Sequence, residues 1–156
     1  MGIEIRQMAA GDIGQIADMF DRLYGHLNSK GFVLKLNLQN IKPIIEASLS
    51  SNFSRIYVAH VNNKVVGFIN INISKINIKF KSETSKYIGN ITELFVDSDF
   101  RGNNLGKLLV MRAKKFFSEN GVEYVQVNTM VGNTRAVEFY KNNGFSEDYI
   151  SFIEKI

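Results

Sequence analysis

Hydrophobic and polar positions change period several times along the chain, and each change marks an element. "IEIRQM" (residues 3–8) alternates and predicts a first strand. Behind it, Ile13, Ile16, Met19, Phe20 and Leu23 recur at helical spacing, with Asp12 placed to cap the helix they define. Gly31 to Leu38 predicts a loop. Ile41 to Leu49 predicts a second helix, with Pro43 tolerated in its first turn, lying between strand blocks as a flap over a ligand would. "RIYVAHV", Asn62-Asn63 and "KVVGFININI" predict a β-hairpin, because asparagine tolerates the positive φ angles of a tight turn. The second of these strands is expected to run on into an exposed, lysine-rich loop, "SKINIKFKSETSK".

From Tyr87 the pattern is β-α-β-α-β: "YIGNITELFV", Asn104 to Glu119, "YVQVNTM", Thr134 to Asn142 and "FSEDYISFIEKI". Strands that alternate with helices predict parallel neighbours and an α/β sheet with helices packed on its faces. The length of 156 residues, 45% of them hydrophobic, suits one domain spanning 1–156.

Composition narrows the chemistry. With no cysteine, disulfides, thiolate metal sites and cysteine nucleophiles are excluded, and no metal is expected. A net charge of +4 without a long block of like charge suits an anionic ligand, and no arginine-rich arm or recognition helix points to nucleic acid. "MGIEIRQM" has the pattern of neither a secretory nor a myristoylation signal, and no apolar run is long enough to cross a bilayer. A soluble, cytoplasmic protein is expected.

The junction "DFRGNNLGKLL" (residues 99–109) concentrates the candidate chemistry. A helix N-terminus offers unpaired N–H groups and the positive end of the helix dipole, so a glycine-permissive turn leading into it can hold phosphate. Gly102 and Gly106 let backbone approach, while Arg101 and Lys107 add a fixed and a flexible cation that together suit a pyrophosphate. A bulky side chain at 106 is expected to enter the pyrophosphate space. The spacing is neither that of a P-loop nor that of a dinucleotide fingerprint. A plain βα turn with a helix cap at Asn104 is the alternative for these residues taken alone.

"ITELFVDSDFRGNNLGKLLV" resembles the acyl-CoA site of the GNAT superfamily of N-acyltransferases, whose Arg/Gln-x-x-Gly-x-Gly/Ala turn holds the CoA pyrophosphate. Arg101, Asn104 and Gly106 take its three positions. Asn104 stands where glycine is usual, and asparagine is the residue next most tolerant of left-handed geometry. "NTRAVEFYKNNGF" resembles the same family's Asn-x-x-Ala-x-x-Phe-Tyr-x-x-x-Gly-Phe helix. The resemblance implies a mixed, mostly antiparallel sheet with a splayed parallel pair at its centre and helices on both faces. It also implies acetyl-CoA as cosubstrate and direct transfer of acetyl to a primary amine of a small molecule or peptide in a ternary complex.

Carried onto this chain, the resemblance assigns cofactor contacts to Phe95, Val96, Arg101, Gly102, Asn103, Asn104, Leu105, Gly106, Lys107, Asn133 and Ala136. Tyr140 becomes the general acid that protonates the departing thiolate, and Glu93 the acidic residue that deprotonates the substrate ammonium. A core role for Tyr140, a structural ion pair for Glu93 and a helix N-cap for Asn133 are the plainer assignments. A non-catalytic acyl-CoA-binding regulatory module is the alternative to an enzyme. The acceptor pocket is expected from the first two helices, the Asn77 to Lys86 loop and the last strand, which by its alternation could pair across a homodimer.

Overall fold

Five strands and four helices are formed by residues 2–156, the part of the chain that the computed structural model describes. Strand β1 (Ile3–Gln7) leads through one 3-10 turn into α1 (Ile13–Ser29), followed by α2 (Leu38–Ala47) and the hairpin β2 (Ser54–Val61) and β3 (Lys64–Lys75). Then come β4 (Tyr87–Val96), α3 (Leu105–Glu119), β5 (Tyr124–Val127) and α4 (Thr134–Asn142). The sheet order is β1-β2-β3-β4-β5, antiparallel except for the parallel pair β4–β5. This is the mixed architecture the sequence predicts.

Strand alternation sorts the core into two layers. Ile69, Ile71 and Ile73 of β3 and Ile91 of β4 pack beneath Leu109, Val110, Ala113 and Phe117 of α3. On the opposite face, Ile56, Val58, Val65 and Phe68 lie under Ile16, Met19 and Phe20 of α1 and Ile41 and Ile45 of α2. α3 sits so close to β4 that a Cβ on Gly89 would lie 2.7 Å from the Phe117 ring.

The hairpin turn is as predicted, with Asn62 and Asn63 at φ 48° and 62°, the mirror-image turn whose twist matches the strands. Other expectations are corrected. Asp12 does not cap α1; its carboxylate accepts from the Ala9 N–H at 2.7 Å and pairs with Arg6 at 2.7 Å, pinning β1 to the helix start. α2 begins three residues earlier than the apolar period suggests, because the Asn37 side chain caps it by accepting from the Gln39 N–H at 3.2 Å. Pro43 is therefore in the helix interior, where its exposed side leaves the unpaired Gln39 carbonyl to water.

The largest difference is at the end of the chain. "FSEDYISFIEKI" forms no strand: Tyr149, Ile150, Phe152 and Ile153 stay exposed, and no partner strand is found for them among the described residues. The parallel β4–β5 pair consequently lies at the sheet edge rather than its centre. β5 is also shorter than "YVQVNTM", ending at Val127.

Candidate active site

β4 and β5 part company after Ile91↔Val127, and β4 runs on to Val96 with no neighbour on its β5 side among the described residues. The same point carries a β-bulge. Asn70 of β3 opposes Glu93 and Ile71 opposes Ile91, so Thr92 is the extra residue, with its hydroxyl donating to the Asn70 carbonyl at 3.1 Å. The bulge reverses the alternation. Ile91 packs under α3, yet Phe95, four residues on, joins the core beneath α1 and α2. Glu93 is thereby turned to the α1/α2 side of the sheet.

Glu93 is held from two sides. The Tyr24 hydroxyl donates to Oε1 at 2.9 Å and the Asn70 amide donates to Oε2 at 2.8 Å. Burial, then the Glu93 charge and hydrogen bond, push the Tyr24 phenol up from its ordinary pKa, so it stays a donor to the carboxylate. Glu93 lines a cleft of about 430 Å³ bounded by Ile44, Ala47 and Ser48 at the end of α2 and by Asn70, Asn72 and Thr92 on the sheet. α2 thus flanks the cleft. The Asn77 to Lys86 loop and the last strand do not line it.

At the C-terminal end of β4, Asp97 is buried and accepts from Arg22 of α1, whose guanidinium lies over the Phe95 ring at 5.1 Å. The Asp97 N–H continues the ladder to the Val66 carbonyl at 2.8 Å. From this anchor the chain turns through Gly102 at φ 83° and Asn104 at φ 60°, both left-handed. Asn104 therefore preserves a turn that glycine would make. It holds the N-cap position of α3 as expected, although its side chain makes no capping bond. The backbone N–H groups from Gly102 to Lys107 have no acceptor among the described residues. They form a donor array at the positive end of α3.

The side chains around this turn divide between scaffold and free charge. Arg101 Nε donates to the Val96 carbonyl at 2.9 Å, and the Asn103 amide to the Phe100 carbonyl at 3.1 Å. Burial, followed by the nearby cation of Arg135, lowers the Arg101 pKa, an arrangement that an anion between the two would relieve. Lys107 is exposed, and Leu105 is buried in the core under α3. Gly106 differs from expectation. A Cβ there would lie 3.2 Å from Phe139 ring carbons, so its side-chain space is closed by α4 rather than open to a pyrophosphate.

α4 carries the second motif. Asn133 caps it by accepting from the Ala136 N–H at 3.4 Å, so the plainer role for Asn133 is realised. Tyr140 is half-buried, edge-on to Phe139 at 5.3 Å and to Phe145 at 5.5 Å between ring centres. Burial raises its pKa, keeping the phenol protonated. Its hydroxyl has no hydrogen-bond partner among the described residues, unlike that of Tyr24. Arg22, Tyr24, Asn70, Asp97 and Arg135 escaped the sequence reading. Tyr24, one turn beyond Phe20 on the buried face, and Asn70, an amide in a strand interior, carried the available signals.

Comparison with known proteins places this geometry. The Acetyltransferase (GNAT) family profile matches residues 20–145. The uncharacterized N-acetyltransferase YhfO of Bacillus subtilis is 27% identical over 146 residues, 94% of this chain and 91% of that protein. MJ1207 of Methanocaldococcus jannaschii, an uncharacterized N-acetyltransferase, is 37% identical over 91 residues, 58% of this chain; the match spans only 38% of that longer protein. Among solved structures, the aminoglycoside N-acetyltransferase AAC(6')-Iy in complex with CoA superposes with a TM-score of 0.81 at 18% identity, over 99% of this chain and 95% of that one. Motifs, splayed strands and family profile agree: the chain belongs to the GNAT family of acetyltransferases, whose acetyl donor is acetyl-CoA.

Proposed function

We propose that this enzyme transfers acetyl from acetyl-CoA directly to a primary amine in a ternary complex. The observation that carries the reading is the run of free N–H groups from Gly102 to Lys107, set beside a β4 edge that has lost its neighbour. A diphosphate is served by the first, with Arg101, Arg135 and Lys107 adding charge. The amide-bearing pantetheine arm is served by the second, as a strand would be, past Phe95 and Val96 and toward Asn133 and Ala136.

The chemistry then needs a base and an acid. Glu93 takes a proton from the substrate ammonium, directly or through one water, which frees the nitrogen lone pair. The nitrogen attacks the thioester carbon, a backbone N–H near Phe95 stabilises the oxyanion, and the C–S bond breaks as the C–N bond forms. Tyr140 gives its proton to the departing thiolate and regains one from the second N–H of the former ammonium. Acetyl-CoA and an ammonium become an N-acetyl amide, CoA and one proton. The absence of cysteine supports direct transfer without a thioacyl-enzyme.

A screen of primary amines reporting free CoA tests the reading: amine-dependent CoA release in stoichiometry with an N-acetyl product is expected. Tight acetyl-CoA binding with no acceptor among chemically diverse amines would favour a regulatory module. The same reading includes a homodimer, supported by the exposed Tyr149, Ile150, Phe152 and Ile153 and by the position of β5 at the sheet edge. Sedimentation at a monomer mass would remove that part.

A further inference from the structure

The sheet face opposite α3 changes character where α1 and α2 stop covering it. Beyond that line β3, β4 and β5 present Asn70, Asn72, Ser74, Asn90, Thr92 and Gln126. A solvated sheet face ordinarily takes charged or β-branched residues, and strand interiors disfavour asparagine. Here three asparagines stand in strand interiors. Although 22% of the chain is charged, Glu93 alone brings charge to these strand positions.

The row is also internally organised. Gln126 Nε2 donates to Asn90 Oδ1 at 2.7 Å, and Asn90 Nδ2 donates to Asn72 Oδ1 at 2.8 Å and Ser74 Oγ at 3.0 Å. Asn70 Nδ2 donates to Glu93 at 2.8 Å. These bonds fix the amides and leave the Asn72 Nδ2 donors and the Asn70 Oδ1 and Gln126 Oε1 acceptors without partners among the described residues. Donors and acceptors therefore alternate along the row. Hydroxyl groups, each able to donate and accept, match such a pattern.

Two further features bound the ligand. Tyr124 shares the Gln126 face and is 60% exposed, and Tyr149, 64% exposed, donates to Asn128 Oδ1 at 3.2 Å. Both offer flat rings beside the row for the C–H face of a saturated ring. Two acids outside the cleft are committed: Asp18 of α1 pairs with Arg22 at 3.0 Å, and the buried Asp97 after β4 pairs with the same arginine. Glu93 is the one carboxylate among the residues that line the cleft. A polycation would leave its other charges facing neutral amides.

We infer that the acceptor is a hydroxyl-rich amine of single positive charge, an amino sugar by chemical class, with its ammonium at Glu93 and its hydroxyls along the Asn70, Asn72, Asn90 and Gln126 row. The inference rests on the acetyl-transfer reading above and narrows its substrate.

The test compares acceptors that share an aminomethyl group on a six-membered ring. With the full chain and acetyl-CoA, 6-amino-6-deoxyglucose is expected to show a kcat/KM at least about ten-fold above that of cyclohexylmethylamine, whose ring lacks the hydroxyls, and above those of spermidine and kanamycin. The Asn72→Ala, Asn90→Ala double variant is expected to raise KM for the sugar to the level of cyclohexylmethylamine. Its acetyl-CoA affinity by calorimetry stays that of the parent. Asn72→Ser, which keeps a short polar group, falls between the two. Preference for spermidine, kanamycin or the unhydroxylated ring, or equal losses on all acceptors in the variants, overturns the inference and leaves acetyl transfer standing. A folded chain that does not bind acetyl-CoA overturns both.

Discussion

The two faces of the sheet are built on different terms. Under α3, Ile69, Ile71, Ile73 and Ile91 form an unbroken apolar stripe, all buried. On the other face the apolar stripe under α1 and α2 stops at Phe68, and Asn70, Asn72 and Ser74 follow in the same alternation. One strand, β3, thus buries isoleucines from Ile69 to Ile73 on one side while presenting polar groups beyond Phe68 on the other. Position 71 and position 72 are neighbours in sequence with opposite duties.

That contrast can be broken most strongly at Ile71. Ile71→Ala removes fully buried methyl groups and should cost about 3 kcal/mol of unfolding free energy in a denaturant titration, whereas Asn72→Ala should stay within about 0.5 kcal/mol. Equal costs would erase the distinction between the faces. Next in size, Tyr140→Phe should lower kcat about 100-fold, equivalent to about 2.7 kcal/mol, with acetyl-CoA affinity unchanged. Stopped-flow or steady-state CoA release would check it, and an unaltered kcat removes Tyr140 from the chemistry.

Gly106→Leu follows, at about 2 kcal/mol, because its side chain would drive into the Phe139 ring and displace α4 with Tyr140. Melting temperature and kcat should fall together; lost acetyl-CoA binding at an unchanged melting temperature would restore the pyrophosphate reading of that position. The smallest effect is at Asp12. Burial works against its charge, but the Arg6 bond and the Ala9 N–H outweigh it and hold its pKa below the ordinary carboxylate value. A folded-state pKa below the unfolded one gives stability that is present above the unfolded value and is lost as pH falls through the folded one. Asp12→Asn should therefore cost about 1 kcal/mol at neutral pH, with the gap to the parent in thermal melts starting to close only below about pH 4 and vanishing once the pH has passed the lower folded-state value.

What the sequence disclosed was mostly local backbone chemistry. Asn62-Asn63 and Asn104 announce left-handed conformations by residue type, and the structure has them at those positions. The Thr92 bulge was hidden, because it arises from the pairing of β3 with β4, and no pattern within "NITELFV" records an extra residue. That is why Glu93 could be named but its holders, Tyr24 and Asn70, could not. "YISFIEKI" shows the opposite failure: its alternation is strand-like, yet a strand needs an edge to pair with, and none among the described residues receives it. The side-chain direction of Gly106 was hidden too, because it is closed by Phe139, a contact set by the docking of α4 on α3 and not by residues within the turn.

Cocrystallisation with acetyl-CoA tests the central claim most directly. The account predicts the diphosphate on the N–H groups of Gly102 to Lys107, the pantetheine arm along β4 beyond Ile91, and the thioester sulfur within hydrogen-bond reach of the Tyr140 hydroxyl. A diphosphate bound elsewhere, or a thioester remote from Tyr140, would contradict it.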